Sequence, residues 1–243
     1  MSGCRVHPQP PIPFAMTAQA SRIKLSRQRS VLTLRFYGAT SILMNTIKTV
    51  CVYCGSGPGT NPHFVEAAVD FGRALARNNV GLVYGGGSVG LMGAIATSTL
   101  DHGGTVTGII PDFLTAREHA LSRVQEMIVT HDMHERKRLM FERSDAFVAL
   151  PGGVGTLEEL VEQLTWQQLG RHSKPIMLAN VDGFWEPLLA LLAHMRDTAF
   201  IRPTLAVNVL QADRVEDILP KLRIAASGTL DSKHMPADVA DRL

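Results

Sequence analysis

Apolar and polar positions alternate in blocks along this chain from residue 48 onward. Residues 48–54 (Lys-Thr-Val-Cys-Val-Tyr-Cys) read as a first strand, ending in the loop Gly55-Ser56-Gly57-Pro58-Gly59-Thr60. Asn61-Pro62 supplies an N-cap and a proline at the first helical position. Phe64, Ala68, Phe71 and Leu75 then fall on one helical stripe. Gly81–Tyr84 is a second strand, running into Gly85-Gly86-Gly87-Ser88-Val89-Gly90-Leu91-Met92-Gly93 and a small-residue helix to about His102. Thr105–Ile110 is a third strand, ended by Pro111. A polar loop over 111–123, holding Arg117, Glu118 and His119, precedes a short strand at 125–129 and a helix over 131–143. Asp145–Leu150 follows as a buried strand and passes through Pro151-Gly152-Gly153-Val154-Gly155-Thr156-Leu157-Glu158-Glu159 into a helix reaching about Gly170. A strand at 175–179, a helix over roughly 184–198, a strand at 206–210 and a final helix complete the pattern. For that last helix Asp213 and Glu216 predict a capping box.

Short apolar strands alternating with helices predict an α/β fold, a Rossmann-like parallel sheet with helices on both faces. In such sheets ligands bind beyond the C-terminal ends of the strands. The three Gly-rich loops, after the strands ending near 54, 84 and 150, all fall at that edge. No repeat or linker divides residues 46–225, which predicts a single domain. Residues 1–45 stand apart: they carry Arg5, Arg22, Lys24, Arg27, Arg29 and Arg35, no acid, and Pro8, Pro10, Pro11 and Pro13. Their charge and Ser content resemble a transit peptide, and they lack the apolar core of a secretory signal. A start at Met44, with an upstream extension before it, is the alternative. A disordered basic leader, a loosely ordered tail over 226–243 and cytoplasmic residence are the expectations.

Charge and cysteine content narrow the function classes. The 24 basic and 22 acidic residues leave a formal net charge of +2, which does not mark a nucleic-acid binder. No apolar run approaches the roughly 18–20 residues of a membrane span. Cys51 and Cys54 form a C-x-x-C, but positions three apart on a strand face opposite sides, which sets redox and zinc chemistry aside.

The chemistry gathers on the glycines. A strand, a Gly-rich turn and a helix start make an anion site, because the backbone approaches a ligand closely and N–H groups at the helix end point at it. Pro151–Glu159 fits that description, with Glu158 and Glu159 placed in the helix's first turn. Those acids either act on a ligand or merely complement the helix dipole. Gly85, Gly87 and Gly90 make a G-x-G-x-x-G after a strand. A dinucleotide fingerprint also needs an acid ending the next strand, and here that strand ends Ile109-Ile110-Pro111 with Asp112 behind the proline. Phosphate binding survives that test; a Walker loop does not, since its Lys-Ser/Thr is missing. His131 and His134, at i and i+3, find no third ligand at metal spacing. Arg136 and Lys137 open a helix leading to the central strand, where a guanidinium suits a phosphate or base edge or simply faces solvent. No lysine stands out in a loop near the glycines for pyridoxal chemistry.

Taken together, Pro151–Glu159, Gly85–Gly93 and Met133-His134-Glu135-Arg136-Lys137 resemble the LOG ("lonely guy") family of cytokinin riboside 5′-monophosphate phosphoribohydrolases, proteins often labelled lysine decarboxylases. The resemblance runs from about Lys48 to about Leu210 and rests above all on P-G-G-x-G-T-x-x-E. It implies hydrolysis of the N-glycosidic bond of an N6-modified adenosine 5′-monophosphate, or of AMP, to free base and ribose 5-phosphate. It further implies a homodimer, with neither cofactor nor metal. By similarity Arg136 and Glu159 match the catalytic pair. Glu118, Lys137, Gly153 through Glu159 (Val154, Gly155, Thr156, Leu157 and Glu158 between them) and Thr165 match positions contacting nucleotide. Gly55, Ser56, Gly86, Gly87, Gly90, Met92 and Gly152 complete the expected phosphate and substrate wall. The chemistry is consistent: C1′–N9 cleavage passes through an oxocarbenium-like state that a carboxylate stabilises. Glu159, kept ionised by the helix dipole, would stabilise that cation or activate water. Arg136 would orient ribose or phosphate, or ease departure of the purine. Glu158, about 100° round the helix, is the weaker partner. The competing reading is a non-catalytic carrier of a nucleotide or phosphorylated cofactor.

Overall fold

The computed structural model describes residues 47–118, 121–202 and 207–228. The expected leader at 1–45 and all but the first three residues of the expected tail at 226–243 lie outside the described residues. The strands are β1 (Thr49–Tyr53), β2 (Gly81–Tyr84), β3 (Val106–Pro111), β4 (Glu126–Thr130), β5 (Ala146–Ala149), β6 (Ile176–Ala179) and β7 (Leu210–Ala212). The helices are α1 (Pro62–Arg77), α2 (Gly90–Asp101), α3 (Thr115–Glu118), α4 (Met133–Glu142), α5 (Val154–Gln168), α6 (Glu186–Asp197) and α7 (Val215–Ala226).

Among the described residues seven strands run parallel in the order β4-β3-β2-β1-β5-β6-β7. The order reverses between β1 and β5, which register as Val50↔Ala146 through Tyr53↔Ala149. That reversal opens the crevice at which α/β sheets bind ligands. Alternation along each strand feeds two cores. Val50, Val52, Leu82 and Val148 pack with α1, α2 and α7 on one face; Cys51, Tyr53, Val83 and Phe147 pack with α4, α5 and α6 on the other. The C-x-x-C is split by the pleat as its spacing predicts: Cys51 lies in one core and Cys54 in the other. Burial pushes the Cys51 thiol far up, so it stays protonated.

Local chemistry explains the helix starts. Asn61 caps α1 by accepting from His63 N at 3.0 Å, with Pro62 behind it. Gly72 of α1 lets α2 lie close to it: a Cβ there would sit 2.5 Å from the Ile95 carbonyl oxygen.

Four expectations need correction. The polar loop at 111–123 is partly helical, with a 3-10 turn at Asp112–Leu114 leading into α3. The last strand lies at 210–212 rather than 206–210: Val209 is buried, but the ladder with β6 starts at Met177↔Leu210. Apolar packing and ladder pairing are separate requirements, and the run 207–209 meets only the first. There is no capping box on α7. Its N-cap is Arg214, without a side-chain cap, and the Asp213 carboxylate instead accepts from Asn180 Nδ2 at 3.1 Å. Finally, α5 begins at Val154, so no acid stands in its first turn, and Glu158 and Glu159 fall in the second.

Candidate active site

Gly55 ties the three glycine loops together. Its N–H donates to the Pro151 carbonyl at 3.0 Å, and its own carbonyl accepts from Leu91 N at 3.1 Å and Met92 N at 3.3 Å. The N-terminus of α2 is thereby capped by backbone. Gly90, at φ +60°, permits the approach: a Cβ there would lie 2.2 Å from the Ser56 carbonyl oxygen. The two helix ends at this edge are therefore not equivalent. The α2 end is closed by Gly55, whereas the α5 end has Gly153 as N-cap and no side-chain cap. By helix geometry its first N–H groups lack intrahelical acceptors, and the helix dipole makes them an anion site. Gly90 thus holds the loop of Gly86 and Gly87 against Ser56, while no side chain caps the α5 end.

A cavity of about 280 Å³ stands over that open end. Gly55, Ser56, Met92, Arg136, Gly153, Val154, Gly155, Thr156 and Glu159 line it, all of them expected from the sequence. Gly85, from the G-x-G-x-x-G, lines it too, and so do Val52, Tyr53 and Cys54, which no motif pointed to. The rule that ligands sit at strand C-termini is the signal that would have found the end of β1. Gly85 has a sharper reason, since a Cβ on it would lie 2.5 Å from Arg136 Nη2.

The charged pair sits on the wall. Arg136 Nη2 lies 3.2 Å from Glu159 Oε1, and the two residues are only 8% and 7% exposed. Arg136 Nε, fully buried, has no hydrogen-bond acceptor among the described residues, and a buried donor left unsatisfied is costly. Because Glu159 falls in the second turn of α5, Arg136 rather than the helix dipole offsets its charge, the dipole's influence being confined to the first turn.

The remaining expected residues lie elsewhere. Lys137 does not line the cavity: its ammonium lies 2.5 Å from Glu158 Oε1 and 3.1 Å from Glu162 Oε1. Burial pulls its pKa down, but the two carboxylates outweigh that and hold it above the ordinary lysine value. Glu158 is thus engaged with Lys137, and Leu157 is part-exposed on the outer side of α5. Gly86 accepts from Leu121 N at 3.2 Å, and Gly87 is buried in the same loop. Gly152 packs against Gly55 and Thr156, where a Cβ would lie 2.2 Å from Thr156 Oγ1. Thr165 is exposed, in the last turn of α5, and donates to the Val161 carbonyl at 2.8 Å. Glu118 ends α3, and its side chain is outside what the structure describes.

The parallel sheet, the uncapped helix end and the buried ion pair define an α/β protein with a polar cavity at the C-terminal edge of its strands. Comparison with known proteins places that class. Residues 92–222 match the family model described as "Possible lysine decarboxylase". The chain is 46% identical over 179 residues to a cytokinin riboside 5′-monophosphate phosphoribohydrolase of Rhodococcoides fascians, covering 73% of this chain and 90% of that protein. It is 44% identical over 182 residues to another of Arabidopsis thaliana, covering 75% and 85%. The chain belongs to this family, the one its motifs resemble. Among solved structures, the Moco carrier protein of Chlamydomonas reinhardtii superposes with a TM-score of 0.56 at 20% identity, over 74% of this chain and 98% of that one. That likeness shows the fold alone.

The decarboxylase description implies pyridoxal phosphate, and the residues do not fit it. Holding that aldehyde needs a lysine in the pocket. Among the described residues no lysine lines the cavity; Lys137 is ion-paired, Lys174 donates to the Phe141 carbonyl, and Lys221 donates to the Gln211 carbonyl.

Proposed function

We propose that this protein hydrolyses the N-glycosidic bond of adenosine 5′-monophosphates, plain or N6-modified, releasing free base and ribose 5-phosphate. The observation carrying the reading is the buried Arg136–Glu159 pair at the cavity wall, on a chain of a family whose relatives are named for this reaction. The 5′-phosphate docks on the N–H groups of Val154, Gly155 and Thr156, with Ser56 facing them. Docking fixes the ribose so that Glu159 faces C1′. As the C1′–N9 bond lengthens, positive charge grows on the sugar and negative charge on the purine. The Glu159 carboxylate stabilises the first or directs water at it, and the Arg136 guanidinium orients the nucleotide and favours the departing base. Water supplies the hydroxyl at C1′ and the proton taken by the base.

The active form in this reading is a cytoplasmic homodimer. The outer side of α5 exposes Val154 (83%), Leu157 (37%) and Val161 (42%) at helical spacing, an apolar stripe suited to a second copy. Thr165 lies on the same stripe and serves the nucleotide only through that interface. Light scattering giving the mass of two chains, reduced to one in Leu157→Asp, supports the dimer; a monomer that turns over at full rate refutes it. Subcellular fractionation checks the cytoplasmic placement.

Incubation with AMP and with N6-isopentenyladenosine monophosphate, resolving all products, tests the activity. Equal amounts of base and ribose 5-phosphate are expected. Nucleotide bound tightly and recovered intact would establish the carrier alternative instead.

A further inference from the structure

The geometry points to Tyr53 and Gln163 as positioning residues for Glu159, acting through ordered water held between β1 and α5. The buried face of α5 carries two stripes. Leu160 and Leu164 form the apolar one and join the core that holds Tyr53, Phe147 and Met140. Thr156, Glu159 and Gln163 form a polar one, spaced so that they lie above one another on the helix. Thr156 and Glu159 line the cavity. Gln163 does not, and stands one turn, about 6 Å, further along the helix. The stripe thus carries polar chemistry from the cavity into the core.

That seam is where unsatisfied atoms gather. Among the described residues, the buried side-chain atoms without a hydrogen-bond partner are Tyr53 Oη, Tyr84 Oη, Arg136 Nε, Glu162 Oε2 and both amide atoms of Gln163. Only Tyr84 belongs to the opposite core. Tyr53 lines the same cavity as Arg136 and Glu159, and Gln163 follows Glu159 by one turn. Gln163 is 0% exposed and Tyr53 1%, so bulk solvent reaches neither. A buried polar atom left without a partner is costly, and ordered water is its usual partner. Such water needs two to four polar neighbours, and the seam offers donors and acceptors together. The Cys51 thiol beside the Tyr53 hydroxyl is too weak a partner to take that place. Burial holds the Tyr53 phenol far above its ordinary range, and the charge of Glu159 adds to this. The hydroxyl therefore stays protonated and keeps a proton to donate. Water accepting from Tyr53 Oη or Gln163 Nε2 can in turn donate to the Glu159 carboxylate and hold it in one orientation. Misplacement of a reacting group by about 1 Å costs roughly 10²-fold in rate, which is what the seam prevents.

The kinetic readout rests on the proposed hydrolase; the crystallographic readout does not. The wild type, Tyr53→Phe, Gln163→Leu and the double variant are crystallised at a resolution that shows ordered water. The same proteins are compared for kcat and KM of base release, ribose 5-phosphate affinity by calorimetry, and thermal midpoint. The wild type should show water within hydrogen-bond distance of Glu159 and of Tyr53 or Gln163, lost or shifted in the variants. Either single variant should lower kcat by about ten- to a hundredfold, with KM and ribose 5-phosphate affinity within about threefold of wild type. The double variant should be no worse than the poorer single, because both side chains act through the same water. Unchanged kcat with an unchanged or higher thermal midpoint would show the polar atoms to be idle and overturn the proposal. A rise in KM with a matching drop in ribose 5-phosphate affinity, at steady kcat, would make them nucleotide contacts and overturn it equally. So would a wild-type crystal with no water in reach of either side chain. Should the wild type release no base, the hydrolase reading fails on its own and the crystals decide the seam. A Glu159 carboxylate turned from its wild-type orientation in either variant upholds it, and an unmoved one sinks it.

Discussion

Two cavities meet at the C-terminal edge of the sheet and share Gly55, Ser56 and Gly153 as their common wall. They are nearly equal in size, about 280 and 270 Å³, and opposite in chemistry. The first is closed by Arg136, Glu159 and Thr156; the second by Phe64, Leu91, Pro58, Pro151 and Phe184. The difference lies in which helix borders each. The first opens on the uncapped end of α5, where backbone N–H groups call for an anion. The second opens beside α1, whose N-terminus is capped by Asn61. One glycine wall thus separates a site built for charge from a packing gap, and volume alone does not tell them apart.

The sharpest way to break that contrast is at the charged wall. Arg136→Ala should lower base release by 10²-fold or more and cost about 3–5 kcal/mol of stability, because Glu159 is left buried without its cation; steady-state kinetics and denaturant unfolding read both. Next in size is the shared wall. Gly90→Ala puts a methyl group against the Ser56 carbonyl oxygen in a left-handed backbone, and should cost about 1–3 kcal/mol with a parallel loss of nucleotide affinity. The apolar side should respond in the opposite sense. Phe184→Ala removes ring contacts to Phe64 and Trp185 and should cost about 1–2 kcal/mol, yet leave kcat and KM within threefold of wild type. A collapse of kcat in that variant would assign the second cavity to the site.

The smallest effect concerns the rim. Asp182 Oδ2 accepts from Asn61 Nδ2 and contacts His63 Nδ1, each at 2.7 Å. The hydrogen bond and charge of Asp182 raise the His63 pKa above its ordinary 6.5, and the hydrogen bonds from Asn61 and His63 lower that of Asp182 below 3.8. A raised histidine stabilises the fold fully below its unfolded pKa and loses that contribution as pH climbs through the folded one. A depressed aspartate contributes above its unfolded pKa and loses it as pH falls through the folded one. The latch is therefore strongest between the two ordinary values. His63→Ala should lower the thermal midpoint slightly near pH 5 and not at all near pH 9; a gap that widens with pH would contradict the assignment.

Much of this was legible in the residues. The β/α alternation, the shared edge of the glycine loops and the splitting of Cys51 from Cys54 follow from periodicity, and so does the separation of Glu158 from Glu159: a turn of 100° sends one toward Lys137 and the other into the cavity. What escapes a reading of the residues depends on contacts distant in sequence. The carbonyl of Gly55 capping α2 cannot be seen in Gly85–Gly93, so the two glycine loops look equivalent there. Lys137 sits beside Arg136 in the chain, but its partners stand 21 and 25 residues away on α5. Tyr53 reads as core because it is core, and it lines the site only because β1 ends at the reversal of strand order. The start of α5 is hard to place from sequence because a glycine N-cap leaves no side-chain signal.

The most direct test is Glu159→Gln, which keeps shape and hydrogen bonding and removes the charge. Base release from AMP and from N6-isopentenyladenosine monophosphate should fall by at least 10²-fold, while ribose 5-phosphate still binds the Val154–Thr156 end of α5 with near wild-type affinity. Base release at close to the wild-type rate would show that the carboxylate beside Arg136 does not face the glycosidic bond.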